Sequence, residues 1–399
     1  MKKKGTGPAS QRRPGAAPKG GGALSMKTAP KGGGALTMDL SLGRRMPAEW
    51  EPHDATWIAW PHHEPDWPGK LAPIPWVYAE IVRALSDYDR VEILCHDATV
   101  ADNARALLAA HGVSERRYRL HTVSNDRVWL RDSAPTGVLR ADGRVELINW
   151  GFNGWAKYDN YKRDAGIGAE IERITGLSRI VPIRPDTGER LILEGGGIEV
   201  NGAGRMLVTE EWLLTPVQIR NPGMLSGDYE KAFDEYLGVT DTIWLGEGAA
   251  GDDTHGHVDD IARFSSRDTV ILAYEQDPSD ENHVRSVDNL RRLKLAAEKR
   301  PLHIVTIPFP RPVTMNGERL PASYVNFYIA NGAVLVPTFN DPADRVALNG
   351  IAEAFPRYTV IGMHAVDLVW GLGTLHCLTQ QQPSGTAGKF HTDMKVASQ

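Results

Sequence analysis

An apolar run followed by Asp-Pro returns at a fixed distance late in the chain, and self-similarity at this length suggests repeated supersecondary units. Val270-Ile271-Leu272-Ala273-Tyr274-Glu275-Gln276-Asp277-Pro278-Ser279-Asp280 aligns with Val334-Leu335-Val336-Pro337-Thr338-Phe339-Asn340-Asp341-Pro342-Ala343-Asp344, and the Asp-Pro offset is 64 residues. Each copy reads as a strand, a helix start, a helical stretch and another strand. Roughly five such units fit between residues 43 and 390. Modules of hairpin, helix and strand set around an axis would bring their equivalent loops to one shared centre.

Local signals agree with a mixed α/β chain. Pro75 opens a helix with Val77, Ile81, Leu85 and Tyr88 along one face, and the strand Val91-Glu92-Ile93-Leu94 follows. Asp97 caps a second helix that runs out at His111-Gly112. Gly143, and Asn201-Gly202, each sit between two short apolar runs and predict hairpins. From residue 43 to 390 no linker interrupts this pattern, which predicts one catalytic domain.

The flanks differ. Residues 1–45 carry ten Lys/Arg and one acid, Asp39, whereas the remainder holds 35 basic and 49 acidic residues. Ala17 to Leu24 recurs as Ala29 to Leu36 within a Gly/Pro/Lys-rich stretch. Residues 1–42 therefore read as a disordered basic tail, a solvated extension or an upstream start with Met26, Met38 and Met46 as alternatives; residues 391–399 read as a C-terminal tail. An acidic body repels nucleic acid and favours cationic ligands. No run approaches the ~18 consecutive apolar residues of a membrane span, and no apolar region of a signal peptide follows Met1-Lys2-Lys3-Lys4. Two cysteines, Cys95 and Cys377, cannot build a disulfide framework or a Cys-rich zinc site. The expectation is a cytoplasmic protein with no membrane or nucleic-acid partner, a homodimer being allowed for.

Four clusters carry chemistry. Cys377 lies in the polar, Gly-rich turn Gly371-Leu372-Gly373-Thr374-Leu375-His376-Cys377, which suits a nucleophile better than Cys95 behind an apolar strand; a small buried filler is the plainer account of a lone Cys. Thr254-His255-Gly256-His257-Val258-Asp259 resembles the zinc loop of metallo-β-lactamase-type hydrolases, except that Asp260 stands where that loop ends in His. The competing account is a His base beside carboxylates that grip a cation. Trp129-Leu130-Arg131-Asp132, expected in a loop before a strand, is on its own compatible with a plain Arg–Asp ion pair, and Leu193-Glu194-Gly195-Gly196-Gly197 with a plain turn. Spacing links them: Asp132 to Glu194 is 62 residues, Glu194 to His257 is 63, and His257 to Cys377 is 120. These are one, one and nearly two repeat lengths, so the four residues are expected to share a site.

Cys, His, Glu and two Asp in one pocket suit a specific substrate. Asp132 and Asp259 would oppose thiolate formation unless they bind a cation, and paired carboxylates accept the N–H donors of a planar guanidinium. The guanidinium carbon is then the electrophile, Cys377 the nucleophile, His257 the acid and base, and Glu194 the group that orients the imidazole. No metal and no cofactor is required.

On these residues the chain resembles the agmatine deiminase family of the guanidino-group-modifying superfamily. The resemblance runs from Met46-Pro47-Ala48-Glu49-Trp50-Glu51-Pro52-His53 through Trp57-Ile58-Ala59-Trp60-Pro61 to Gln382-Pro383, and includes Trp129 to Asp132, Glu194-Gly195-Gly196, Gly256-His257-Val258-Asp259 with Ala262-Arg263-Phe264, and the Cys377 turn. It implies a pentein fold, a five-bladed pseudo-symmetric α/β-propeller. It implies Cys377 as the amidino-carrying nucleophile, His257 as acid/base, Glu194 as its partner, and Asp132 and Asp259 as guanidinium ligands. Trp129 is implied to pack on the substrate's chain and Asp253 to lie near its distal amine. The family pattern has Asp-Gly-His where this chain has His255-Gly256-His257, which would bring an imidazole near the amine end. The reaction implied is hydrolysis of agmatine to N-carbamoylputrescine and ammonia, with arginine or peptidyl-arginine as the alternative substrate. A zinc hydrolase using His255, His257 and Asp259 is the alternative of another class.

Overall fold

The computed structural model describes residues 43–385, so the two tails read from the sequence lie outside the described residues. One pattern recurs five times: an antiparallel strand pair, a helical crossover, and a strand parallel to the second of the pair. In the first module His53–Ala59 pairs antiparallel with Gln380–Pro383 and parallel with Val91–Cys95 across the helix Ile74–Leu85. A further helix, Ala98–Ala110, leads to a fourth strand, Tyr118–Thr122. The second module is Thr136–Arg140, Val145–Ile148, the helix Ile167–Thr175 and Ser178–Ile180, with Arg44–Arg45 added at its edge. The third is Glu199–Val200, Arg205–Thr209, the helix Ser226–Leu237 and Asp241–Leu245. The fourth is Ala262–Ser266, Thr269–Ala273, the helix Glu281–Lys299 and His303–Ile307. The fifth is Tyr328–Ala330, Ala333–Thr338, the helix Ala343–Ala354 and Thr359–His364.

The repeat seen in the sequence falls where it should. Val270 and Val334 occupy the middle strands of the fourth and fifth modules, facing Ile304 and Val360 on their parallel neighbours. These middle strands are almost wholly buried, because a parallel strand with a helix packed over it needs apolar residues on both faces. The turn signals also hold. The carboxylate of Asp97 accepts from Val100 N, and Gly112, Gly143 and Gly202 all have positive φ. Two details differ. The helix expected from Pro75 begins at Ile74, so Tyr78 rather than Val77 joins Ile81 and Leu85 on its buried face. The segment before the second module is a helical turn, Leu130–Ser133, too short for any apolar period to reveal. Among the described residues no helix is long and apolar enough to cross a membrane.

Where the modules meet, a charged network is buried among the apolar residues. Arg263 opens the fourth module, is fully buried, and pairs with Glu49 at 2.9 Å and Glu199 at 2.8 Å while donating to Phe327 O at 2.5 Å. Burying charge is tolerable only when every member is paired. Arg263→Met would leave two carboxylates facing an apolar side chain. The expected loss is about 3–5 kcal/mol, read as a lowered denaturant midpoint.

Candidate active site

Each module is entered through a loop that ends two to five residues before its first strand, and these loops meet. Asp132 precedes Thr136–Arg140, Glu194 precedes Glu199–Val200, His257 and Asp259 precede Ala262–Ser266, Asn326 precedes Tyr328–Ala330, and Cys377 precedes Gln380–Pro383. The gap of nearly two periods between His257 and Cys377 is thus filled by Asn326. Its amide nitrogen donates to Asp260 at 3.0 Å and to Cys377 Sγ at 3.1 Å. Asn326 was not singled out in the sequence, although counting one further period from His257 leads to its loop.

In the first loop the turn Leu130–Ser133 sends Arg131 and Asp132 in opposite directions. The simple ion pair between them does not form. Arg131 donates to Gln380, Gln381 and Glu49, whereas Asp132 accepts from Gly196 N at 2.9 Å and Trp155 Nε1 at 2.8 Å. Burial pushes the Asp132 carboxyl up to about 6, the nearby His257 only partly offsetting it. Gly196 needs to be glycine because a Cβ there would sit 2.6 Å from His257 Nδ1 and 2.9 Å from Asp132 Oδ1. Glu194, two residues earlier, accepts from Trp212 Nε1 at 2.6 Å and Arg220 Nε at 3.1 Å, and lies 3.5 Å from His257 Nε2. Burial would raise its carboxyl, but Arg220 and His257 outweigh that and hold it at about 2.

The third loop is braced by Asp252, whose carboxylate takes the backbone N–H of Thr254, Gly256 and His257. His257 stands edge-on to Trp212 and 3.8 Å from Asp132. Burial would lower its pKa, yet Asp132, Glu194 and Asp259 raise it to about 9, so the ring is cationic at neutral pH. Asp259 accepts from His376 Nδ1 at 2.7 Å on one oxygen; its Oδ1 is buried and without a hydrogen-bond partner. Burial would raise this carboxyl too, but His376, His257 and Arg263 keep it below the usual range.

Cys377 Sγ lies 3.7 Å from Asp259 Oδ2, and burial together with Asp259, Asp260 and Asp132 raises the thiol well above its ordinary value. The resting group is therefore a neutral thiol. Cys95 belongs to a buried strand, where burial pushes its thiol to about 12. It is the inert filler of the two. Cys377, Asp132, Trp129 and Asp253 line one cleft with Arg127, Trp155, Tyr158 and Leu372.

His255 is a correction on two counts. It adopts φ 64° and turns its ring towards Thr215 Oγ1 (3.1 Å) and Glu211 (3.6 Å), away from the cleft. It does not join His257 and Asp259 in a metal triad, and it is not among the residues that line the cleft beside Asp253. Among the described residues the three potential ligand side chains that do converge are Asp259, Asp260 and Cys377. The sequence also gave no sign of His376, which bridges Asp259 and Glu49; one residue before a nucleophile candidate, it looked like part of the turn.

A buried thiol, an imidazolium and two carboxylates around one cleft can receive a compact cation and attack its carbon, which is the chemistry of carbon–nitrogen hydrolases acting on amidines. Comparison with known proteins gives the same class. Residues 45–383 match the Porphyromonas-type peptidyl-arginine deiminase family. The chain is similar to an agmatine deiminase of Pseudomonas aeruginosa, 34% identical over 367 residues that cover 86% of this chain and 96% of that one. Its fold is similar to the solved agmatine deiminase of Enterococcus faecalis (TM-score 0.78, 28% identity, 86% and 96% covered). It is also similar to a putative arginine deiminase from Porphyromonas gingivalis (TM-score 0.74, 31% identity, 85% and 98% covered). The chain belongs to the Porphyromonas-type peptidyl-arginine deiminase family, in which the curated relatives are agmatine deiminases.

Gly196→Ala gives a direct check on this packing. The added methyl must push His257 or Asp132 aside, and a displacement near 1 Å is expected to lower kcat/KM about 100-fold, with a small change in melting temperature.

Proposed function

We propose that the chain is an agmatine deiminase, converting agmatine and water to N-carbamoylputrescine and ammonia through a covalent thiouronium on Cys377. The observation that carries this is the placement of Cys377 Sγ 3.7 Å from Asp259, whose other oxygen is unpaired in a buried site. A carboxylate so placed needs a cation with several donors, and a guanidinium held between Asp132 and Asp259 presents its carbon to the sulfur. The names of the relatives supply the particular guanidine. The five modules would close as a five-bladed α/β-propeller, with this site at one end of its axis.

Electrostatics explain the order of events. Without substrate the acids hold the thiol neutral. Arrival of the guanidinium cancels their charge, so the sulfur releases its proton to solvent only when its target is in place, and it regains one when the C–S bond later breaks. The thiolate forms the C–S bond. His257 then gives its proton to the departing nitrogen, and ammonia leaves as the C–N bond breaks. The neutral imidazole next takes a proton from water, whose oxygen adds to the thiouronium carbon. Breaking of the C–S bond releases the ureido product. Glu194, held as an anion, orients and stabilises the imidazolium. Trp129 would lie along the methylene chain, with Asp253 at the amine end.

The profile of kcat/KM against pH is expected to be a bell. Protonation of Asp132 below about 6 removes a guanidinium ligand, and deprotonation of His257 above about 9 removes the proton needed by the leaving group. A rate that is flat from pH 5 to 10 would exclude these assignments. The substrate is tested by measuring ammonia and ureido product with agmatine, arginine and a blocked arginyl peptide, with chelator present. Turnover of agmatine alone, lost on Cys377→Ala, is the expected result. Turnover only of arginine or the peptide would keep the cysteine chemistry and reassign the outer end of the cleft.

A further inference from the structure

The Asp253 carboxylate at the outer end of the cleft already holds an ammonium group, and it belongs to the chain itself. Lys157 Nζ sits against Asp253 Oδ1, while the Tyr158 hydroxyl donates to Asp253 Oδ2 at 2.7 Å. Both oxygens of that carboxylate are thus occupied from one short segment. The segment is held in shape. Trp155 and Ala156 have φ 58° and 54°, a left-handed backbone that such residues seldom adopt. The Gln218 amide donates to Trp155 O and Asp253 O, both at 3.1 Å. Trp155 Nε1 ends on Asp132, which ties the segment to the inner end of the cleft. Arg127 adds a second cation, lying 3.9 Å from the centre of the Tyr158 ring, but it is shared with Asp66 at 3.2 Å.

We propose that Lys157 is a specificity-determining residue, a tethered competitor for the distal ammonium of the substrate. This rests on the orientation above, with the guanidinium at Asp132 and Asp259 and the other end of the ligand towards Asp253. An incoming ammonium gains Asp253 only by displacing Lys157 Nζ, whereas a guanidine with an uncharged tail displaces nothing. The exchange is feasible because Lys157 is 42% exposed and Asp253 18% exposed, so the released ammonium returns to water. Exposed pairs of this kind are weak, and the competition is expected to cost the ligand about two- to five-fold in affinity.

Calorimetric Kd values in the non-turning-over Cys377→Ser background, for agmatine and for 1-butylguanidine, separate the terms. Adding Lys157→Met is expected to tighten agmatine about two- to five-fold and leave 1-butylguanidine unchanged. Lys157→Arg, which keeps the cation, should bind both ligands as Lys157 does. No tightening of agmatine, or an equal shift for the two ligands, would overturn the competitor role, the second outcome marking Lys157 as merely structural. If the unmutated chain binds agmatine without turning it over, the deiminase assignment fails while the Kd comparison still decides the role of Lys157. Failure of both guanidines to bind would overturn both.

Discussion

One buried carboxylate, Glu49, is the point on which the site is assembled. It receives Arg131 at 3.2 Å, Arg263 at 2.9 Å, His376 at 2.9 Å and Ile329 N at 2.7 Å. Burial alone would drive its proton on, yet the surrounding cations hold it ionised. Each side-chain partner is a near neighbour in sequence of a group in the site. Arg131 precedes Asp132, Arg263 follows the Asp259 loop, and His376 precedes Cys377 while its other nitrogen holds Asp259. A single anion therefore fixes the relative positions of the nucleophile and both carboxylates opposite it. Such a network stabilises little by itself, since desolvation consumes most of the Coulomb gain. Its effect is positional.

The cleft built on this frame is electrically unfavourable while empty. Asp132, Asp259 and Asp260 crowd the thiol, and Asp260 itself is pushed well above its ordinary value by burial and by Asp259. Among the described residues, His257 is the cation paired with Asp132 there. The arrangement favours a positively charged guest over water and keeps the sulfur unreactive towards neutral electrophiles. In contrast, the outer end is already neutralised, with Lys157 on Asp253 and Arg127 beside Asp66. The inner end thus recognises charge, whereas at the outer end a guest must compete for it.

Much of this was legible in the chain. The 64-residue period identified equivalent strands, Gly143 and Asn201-Gly202 marked hairpins, and the spacing of Asp132, Glu194, His257 and Cys377 anticipated that they meet. These signals are local or periodic, which is why a sequence displays them. What escaped were pairings without a period. Glu49 finds His376 across 327 residues and Arg131 across 82, and a buried arginine at the start of a strand is written no differently from an exposed one. His255 misled because two imidazoles at i and i+2 suggest a shared ligand, whereas its left-handed backbone turns the ring the other way. Lys157 escaped because only the fold brings it across 96 residues to Asp253.

The strand Gln380–Pro383, which completes the first module, has a consequence for folding. Trp57 and Gln382, joined by a 3.0 Å hydrogen bond, are 325 residues apart in the chain. Contacts of that span are formed at a high entropic cost and tend to come late. Cys377 lies three residues before this strand, and Arg131 holds Gln380 and Gln381, so the placing of the thiol opposite Asp132 depends on that closure. Until then its thiol is an ordinary one in solution, open to oxidation and to disulfide exchange. A cell that folds this chain slowly would therefore risk losing the nucleophile before the protein ever becomes an enzyme.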